Sequence, residues 1–316
     1  MEKPKVRISV RNLVEFILRS GDLDNSRGSS GDKEAMLKGG RLHRKIQRSM
    51  KGNYQAEVSL KRESEYEDVI IQVEGRADGI FTEDGEFWID EIKGTYGNLQ
   101  AMEVPVPVHR AQAMCYGWIY GEKEGLSQIG IQMTYSHLDT EDTRRFREIF
   151  SMEELKNWYQ KLLDDYHKWI SCSLSWKKER NASMKDLQFP FPYREGQREI
   201  VSGVYHTVSS KKTLFVQAPT GVGKTMSAIF PSVRAIGEGK GETLFYLTAK
   251  TITGTVAWEA FHTLRENGLK FKVTAITAKE KLCFLDSPEC TPEKCPYAKG
   301  HFDRVNDAVY ELWTTE

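Results

Sequence analysis

The segment APTGVGKT, from Ala218 to Thr225, constrains the fold of this chain of 316 residues more than any other stretch. It follows the apolar run TLFVQA and precedes the helix-like run MSAIFPSVRAIGEG, after which comes a second apolar run, TLFYLTA. This order predicts strand, glycine-rich turn, helix and strand, which is a βαβ unit with a parallel sheet. The backbone N–H groups of such a turn can surround phosphates, so the sequence predicts an α/β nucleotide-binding domain.

The residues of this loop have separate predicted roles. Gly221 and Gly223 allow the backbone to close around the phosphates, because glycine tolerates the required conformations. Lys224 is expected to reach the β- and γ-phosphates of ATP, and Thr225 to ligate the Mg²⁺ that accompanies it. Ala218 stands where the common pattern has its first glycine. We therefore expect ATP and Mg²⁺ as ligands of the second half.

The composition limits the classes of protein to which the chain can belong. Its length suggests about two domains, and its 45 basic and 45 acidic residues give a formal net charge of +0. The net charge therefore does not favour nucleic acid as a partner. The basic segment from Arg41 to Arg62 is a local candidate for contacting DNA, and a solvated helix face is an equally good interpretation. The sequence has no run of about 18 apolar residues and no secretory leader, which predicts a cytoplasmic protein with reduced thiols and no membrane span.

Three segments have clear local patterns. Ser151 and Glu154 form a capping box before an amphipathic stripe, which predicts a helix over residues 151–170. The polar, glycine- and serine-rich stretch from Gly21 to Gly40 is predicted to be a loop. The proline-punctuated stretch 179–190 is predicted to link two domains.

The first half contains a predicted β-hairpin in the segment EGRADGIFTEDGEFWIDEIKGTY. Asp84-Gly85 is a strong signal for a two-residue turn between strands. Such a turn fixes three facing pairs: Glu83 with Glu86, Phe81 with Trp88, and Asp78 with Glu91. Facing residues have Cβ atoms roughly 5 Å apart, so the carboxylates of the last pair could reach one cation. Lys93 follows Glu91 by two residues and lies on the same face of its strand.

Two carboxylates and an ammonium on one face suit Mg²⁺ or Mn²⁺ and a scissile phosphate. The cation would lower the pKa of a bound water and offset charge on the phosphate, while Lys93 would orient or stabilise the attack. An exposed hairpin with ordinary surface charges is the alternative interpretation of the spacing alone.

The first half, roughly residues 1–178, resembles RecB-type members of the PD-(D/E)xK nuclease superfamily. The resemblance rests on residues in four short motifs: His43 in KGGRLHRKI, Asp78 in GRADGI, Glu91 and Lys93 in DEIKGT, and Gln112 and Tyr116 in HRAQAMCYGWIY. It implies a restriction-endonuclease-like fold with metal-dependent DNA cleavage. It also implies that the histidine joins the metal site of the two carboxylates. The glutamine and the tyrosine, at i and i+4, share one face of the next helix.

From about Phe191 to the end the chain resembles superfamily 2 DNA helicases of the DinG and xeroderma pigmentosum group D type. The motif FPYREGQ implies adenine-side contacts, with Tyr193, Arg194 and Gln197 as the candidates. The motif LTAKTITGTVAWEAF implies contacts to single-stranded DNA, with Thr248, Lys250 and Thr251 as the candidates. The resemblance implies a partial RecA-like P-loop motor domain at 191–282 and single-stranded or forked DNA as the partner.

Three cysteines near the end, Cys283, Cys290 and Cys295, stand where these helicases begin an inserted [4Fe–4S] domain, here residues 283–316. The resemblance places the fourth cysteine of the family further along, so the set of thiolates is expected to be incomplete. A closed zinc site is the alternative, because His301 completes the spacing Cys-x6-Cys-x4-Cys-x5-His.

The leading hypothesis is the N-terminal portion of an ATP-dependent DNA helicase with a metal-dependent nuclease domain, acting in DNA repair or related processing. The sequence shows no acidic strand motif after the phosphate loop and no arginine-bearing second motor domain, so we expect feeble ATP hydrolysis. Two alternatives stay open. One is a nucleic-acid-binding protein with an inactive nuclease domain and a nucleotide-sensing phosphate loop. The other is a different P-loop enzyme with an accessory N-terminal domain.

Overall fold

The structure, a computed structural model, describes residues 3–25, 33–50, 52–249, 251–285 and 289–315. The chain divides into two compact units. The first unit comprises Met1–Ser171 together with Leu285–Glu316, and the second comprises Cys172–Phe284. The segment that follows the second unit in sequence thus belongs to the first, whereas the sequence suggested separate domains for 1–178 and 283–316.

Among the described residues, a six-stranded mixed sheet forms the centre of the first unit. Its strands are β1 (Lys5–Ser9), β2 (Gln55–Glu65), β3 (Ile70–Glu83), β4 (Glu86–Thr95), β5 (Gln128–His137) and β6 (Thr143–Ser151). They lie in the order β1-β3-β4-β5-β6, and β2 pairs with the other edge of β3. The pairs β1–β3 and β4–β5 are parallel and the others antiparallel, so the fold is mixed α/β.

Helices cover this sheet and build the second unit. The first unit contains α1 (Val10–Ile17), α2 (Lys33–Ser49), α3 (Pro107–Glu124), most of α4 (Met152–Lys185) and α9 (His301–Thr314). The second unit contains the end of α4 and the helices α5 (Gln197–Ser210), α6 (Lys224–Gly237), α7 (Thr251–Glu266) and α8 (Lys279–Leu282).

The helices α2 and α3 pack on opposite faces of the sheet. Leu42 and Ile46 of α2 contact Ile92 of β4. Gly117 of α3 lies against Ile131 of β5, which faces the other way because it pairs with Ile89. The buried side chains between α3 and the strands form the apolar core of the first unit.

The predicted hairpin is confirmed in its turn and in two of its three facing pairs. Asp84 and Gly85 both have positive φ, at 52° and 85°, as a two-residue type I′ turn requires. β3 and β4 pair Phe81 with Trp88 and Glu83 with Glu86. The third predicted pair, Asp78 with Glu91, lies one residue beyond the last pair of the ladder, Gly79 with Asp90.

The capping box of α4 is also confirmed, but the helix is longer than its apolar stripe predicted. The backbone N–H of Glu154 donates to Ser151 Oγ at 3.2 Å, and the backbone N–H of Ser151 donates to Glu154 Oε2 at 2.9 Å. α4 continues to Lys185, so much of the predicted linker 179–190 is helical. Likewise α2 begins at Lys33, inside the predicted loop from Gly21 to Gly40, where Glu, Ala, Met, Leu and Lys favour a helix.

The parallel sheet predicted around the phosphate loop is wrong for the described residues of the second unit. Among the described residues, the runs TLFVQA and TLFYLTA form no β-strand. Parallel strands need both faces covered. Here Leu244, Phe271 and Val273 pack against the core formed by α6 and α7, whereas Phe215 and Leu247 are 92% and 87% exposed. With one face uncovered, burial does not offset the entropy of ordering the strands.

A close contact in the sheet yields a test of the fold. A Cβ at Gly130 of β5 would overlap the ring of Trp88 on β4. Gly130→Ala should therefore lower the unfolding free energy by roughly 1–3 kcal/mol, because a well-packed site has no room for an extra methyl group. Thermal unfolding followed by circular dichroism measures the change.

The matched control is Gly39→Ala in α2, where a Cβ would meet nothing within 4 Å. This variant should be up to about 1 kcal/mol more stable than the wild type, since alanine favours the helix. Equal effects of the two substitutions would contradict the register of β4 and β5.

Candidate functional site

The candidate site lies at a gap in the pairing along one edge of β3. On that edge, β1 pairs with β3 as far as Glu74, and β4 pairs with it only from Gly79 onward. Within the part of the chain that the structure describes, residues 75–78 of β3 therefore have no strand beside them on this edge. Asp78 stands at the end of the gap, and its Oδ2 accepts a hydrogen bond from the backbone N–H of Ile92 at 2.7 Å. The carboxylate replaces a backbone carbonyl as the acceptor of this hydrogen bond. It thereby holds β3 and β4 together at the end of their pairing.

Glu91 of β4 brings a second carboxylate to this gap, one residue beyond the last pair of the hairpin, Gly79 with Asp90. Its side chain is almost fully buried, yet Oε2 has no hydrogen-bond partner among the described residues. Burial, together with the charge of Asp78, raises the pKa of Glu91 to about 7, and Lys93 opposes the shift. A buried acceptor without a donor is costly, so this oxygen is suited to bind a cation.

Lys93 connects the two strands of the site with α3. Its ammonium donates to Glu91 Oε1 and to Gln112 Oε1, each at 2.8 Å. Gln112 is buried in α3, and the amide holds the ammonium in one place. The predicted lysine, glutamate and glutamine are thus brought together.

Tyr116, one turn after Gln112 on α3, closes the other end of the gap. A Cβ at Gly75 would come within 2.7 Å of the Tyr116 hydroxyl, so only glycine admits the ring at this point of β3. The hydroxyl is hydrogen-bonded to the backbone of Arg76. Burial, with the nearby charges of Glu91 and Asp78, raises the pKa of Tyr116 above its usual value. The ring therefore occupies the gap as a neutral phenol.

His43 approaches from α2, on the other side of the gap. Its Nδ1 lies 3.6 Å from Asp78 Oδ1, and Gln47 of the same helix donates to the backbone carbonyl of Asp78 at 2.9 Å. These contacts bring together all six residues that the sequence assigned to the nuclease-like site. Within the part of the chain that the structure describes, no group of three or more His, Cys, Asp or Glu side chains is arranged to hold a metal ion.

Sequence reasoning missed a carboxylate on the opposite face of β4. Asp90 is fully buried and accepts hydrogen bonds from Thr134 at 2.6 Å, Gln132 at 3.0 Å and Tyr54 at 3.1 Å. Burial raises the pKa of Asp90, and these hydrogen bonds oppose the shift. The network anchors β4 next to Glu91. The only signal in the sequence was an aspartate inside an apolar strand run.

The phosphate loop of the second unit has the backbone that its glycines predict. Gly221 and Gly223 have φ values of 84° and 79°, and Gly223 caps the N-terminus of α6. Lys224 folds back and donates to the carbonyls of Ala218 at 2.9 Å and Pro219 at 2.8 Å. The hydroxyl of Tyr246 donates to that of Thr225 at 3.3 Å. The loop thus places backbone N–H groups at a helix N-terminus, which favours anions.

The motif FPYREGQ supports this loop. Arg194 donates from Nη1 to the carbonyl of Gly221. Gln197 is buried, accepts from the backbone N–H of Arg194 at 3.0 Å, and lies where a Cβ of Gly223 would stand. Tyr193 stacks on Phe189 with ring centroids 4.4 Å apart. The predicted adenine-side residues therefore contact the phosphate loop and its flank.

The remaining predicted residues are less fully described. Thr248 precedes α7 and is exposed, Lys250 lies outside the described residues, and Thr251 begins α7 with a side chain outside them. Cys283 belongs to the second unit, while Cys290 and Cys295 belong to the first. His301 is the first residue of α9. The iron–sulfur or zinc site stays a prediction.

Comparisons with known proteins relate part of the chain to a helicase. No protein-family model matches. A stretch of 47 residues is 40% identical to "Probable ATP-dependent helicase MJ0942" of Methanocaldococcus jannaschii. This stretch is 15% of the chain and 7% of that protein, so the chain matches a small part of its relative.

The crystal structure of SSO0001 is similar over 52% of this chain and 78% of its own, with a TM-score of 0.33 and 20% identity. A likeness this distant carries no conclusion about fold. Among the described residues, no helix has the length and apolar character needed to cross a membrane.

The burial of Glu91 generates a prediction about stability and pH. The pKa of this carboxyl is near 4.5 when unfolded and about 7 when folded, so the unfolding free energy falls as pH rises through this interval and stays low above it. Glu91→Gln removes this fall of the unfolding free energy. At pH 8 the variant should be more stable than the wild type by up to about 3 kcal/mol, with a smaller difference at pH 5.

Melting temperatures in EDTA at the two pH values measure this effect. The exposed Glu67→Gln serves as the control and should melt like the wild type at both. A Glu91→Gln variant that is less stable at pH 8 would show that the carboxylate is satisfied in the free protein.

Proposed function

We propose that the first unit is a Mg²⁺- or Mn²⁺-dependent DNA nuclease and that the second unit binds ATP as part of a DNA helicase. The observation that carries the nuclease proposal is the unpartnered Oε2 of buried Glu91 beside the carboxylate of Asp78. The relation of 47 residues to a helicase supports the motor, and a role in DNA repair or related processing fits both activities.

The residues at the gap suit a hard divalent cation. Asp78 and Glu91 would hold it, with His43 close to the first carboxylate at 3.6 Å. Mg²⁺ is commonly bound by only one or two carboxylates, with waters and substrate phosphates as the other ligands. The absence of a larger cluster among the described residues is compatible with this mode of binding. When bound, the cation would acidify a water and neutralise charge on the scissile phosphate.

Lys93 performs the positioning that the site requires from the protein. Its ammonium is held between Glu91 and Gln112, so it is presented at the gap with little freedom. A fixed positive charge there stabilises the negative charge that develops on the phosphate and orients the attack. Gln112 is neutral, so it holds the ammonium without compensating its charge.

A stripe of arginines on α2 supports nucleic acid as the partner. Arg41, Arg44 and Arg48 are exposed and, within the described residues, form no ion pair, whereas Lys45 of the same helix pairs with Glu141. Their spacing of three and four residues places them on one side of the helix over roughly 10 Å. That length spans about three phosphates of a strand. His43 lies on the same helix, next to Asp78.

The phosphate loop supports ATP as the ligand of the second unit. Lys224 donates to two carbonyls of its own loop, and the phosphate oxygens of ATP would replace these carbonyls as its acceptors. Arg194 contacts Gly221 and Gln197 contacts Gly223, and these contacts hold the loop in place without β-sheet pairing among the described residues on either side of it. Nucleotide binding therefore fits the described loop.

The nuclease proposal is tested by removing the ammonium. With Mg²⁺ or Mn²⁺ and a labelled single-stranded oligodeoxynucleotide, Lys93→Ala should reduce the rate of cleavage by about 100-fold or more, because a fixed charge at the developing phosphate charge is lost. Glu91→Ala should abolish cleavage. Gel analysis of the products over time measures the rates.

The exposed Lys61→Ala on β2 is the matched control and should cleave like the wild type. Persistent cleavage in both site variants would exclude the assignment. DNA binding without cleavage by any wild-type preparation would favour an inactive nuclease domain.

The arginine stripe generates a second prediction. The triple variant Arg41→Gln, Arg44→Gln, Arg48→Gln should lower the slope of the logarithm of DNA affinity against the logarithm of salt concentration by about 2, since three single-strand phosphate contacts contribute roughly 0.7 each. Fluorescence anisotropy in EDTA measures the affinity at several salt concentrations.

A triple variant of exposed cations elsewhere in the first unit, Arg19, Lys156 and Lys161 to Gln, carries the same change in charge. It should leave the slope almost unchanged. An equal loss of slope in both triple variants would show that only net charge matters.

A further inference from the structure

A cavity of about 620 Å³ opens in the first unit where β4 and β5 end. Its lining includes Tyr96 and Asn98 from the segment after β4, His137 at the end of β5, and Thr140 and Arg144 from the turn and strand that follow. A volume of this size is within the usual range for a small-molecule site. No residue of the nuclease-like or phosphate-loop sites lines it.

The cavity lies beyond the end of β4, the strand that carries Glu91 and Lys93 of the candidate metal site. Glu91, Lys93 and Thr95 alternate along β4 and therefore point to one face. Thr95 pairs with His137, so this histidine shares that face. Thr95 is two residues beyond Lys93, about 7 Å at the rise of a strand. A strand whose phosphate lies at Lys93 would thus bring a neighbouring nucleotide to the cavity.

An open aromatic surface forms one wall of the cavity. The ring of Tyr96 is 50% exposed and meets the ring of His137 edge-on, with centroids 6.4 Å apart at 88°. The Lys38 ammonium lies 6.0 Å from the Tyr96 centroid. His137 Nδ1 accepts from the backbone N–H groups of Asp139 at 3.3 Å and Thr140 at 3.2 Å. The proton of its neutral ring is therefore on Nε2, which is a donor.

The charges in the lining do not suit a phosphate. Arg144 donates from Nη1 to the carbonyls of Leu99 and Gln100, both at 2.9 Å. Its guanidinium is therefore already used to hold the segment after β4 against β6. Asp142 places a carboxylate in the lining, where it accepts from the Thr140 hydroxyl at 2.7 Å. A flat, neutral ligand with hydrogen-bonding edges fits these groups better than an anion does.

We propose that this cavity binds one unstacked nucleobase of the strand whose phosphate lies at Asp78, Glu91 and Lys93. The inference rests on the proposed nuclease function and adds a base-binding subsite to it. Tyr96 provides the stacking face, and His137 and Asn98 provide groups for the base edge. Bases in a duplex are stacked and paired, so such a subsite selects single-stranded or unwound DNA.

The test uses the full chain in EDTA and a series of single-stranded oligodeoxynucleotides with 2-aminopurine at successive positions. One position should show a change of fluorescence on binding. Tyr96→Leu should abolish that change and weaken binding about 5- to 100-fold, because the stacking surface is lost. Tyr96→Phe should preserve both, and Tyr297→Leu, an equally exposed tyrosine of the first unit, should behave as the wild type.

The outcomes separate this inference from the proposed function. If Tyr96→Leu has the wild-type affinity and the wild-type change of 2-aminopurine fluorescence while Mg²⁺-dependent cleavage proceeds, the proposed subsite is wrong and the proposed nuclease function is retained. If deoxyadenosine monophosphate alone competes at the concentration of the oligonucleotide, the cavity serves a free nucleotide and the strand subsite is wrong. If no variant binds the oligonucleotide and no cleavage occurs, both proposals fail.

Discussion

The gap along one edge of β3 is the constraint on which the candidate site depends. Two strands share this edge, β1 up to Glu74 and β4 from Gly79, and among the described residues no strand pairs on this edge with the residues between them. Unpaired backbone inside a sheet is costly, so side chains have to satisfy it. Asp78 accepts from the backbone of Ile92, and the Tyr116 hydroxyl meets the backbone of Arg76. The same geometry concentrates polar side chains at one point of an otherwise apolar sheet.

The neighbouring carboxylates of β4 show which one has a structural role and which is available for function. Asp90 and Glu91 are both buried, on opposite faces. Asp90 accepts three hydrogen bonds from side chains, and the network fixes the strand. Glu91 receives only Lys93 and keeps one oxygen unpartnered among the described residues. Since buried polar groups are normally satisfied, the exception marks the place for a ligand.

Local sequence signals predicted the local structure well, and non-local features less well. The Asp84-Gly85 turn specified the register of the hairpin, and Ser151 with Glu154 specified the start of α4. The parallel sheet around the phosphate loop was wrong because strand pairing depends on distant neighbours, and Phe215 and Leu247 have none that cover them. The cavity at Tyr96 was not predicted, since the pairing of Thr95 with His137 brings the segment after β4 next to the β5–β6 turn, and no local signal in the sequence specifies that pairing.

The central claim is that Asp78 and Glu91 together bind a divalent cation. The most direct measurement is anomalous diffraction from crystals of the full chain soaked in Mn²⁺. The account predicts a peak in bonding contact with both carboxylates, at about 2.0–2.1 Å for a Mg²⁺-like ion, and its loss in Glu91→Gln. An absent peak at saturating Mn²⁺, or one unaffected by that substitution, would contradict the account.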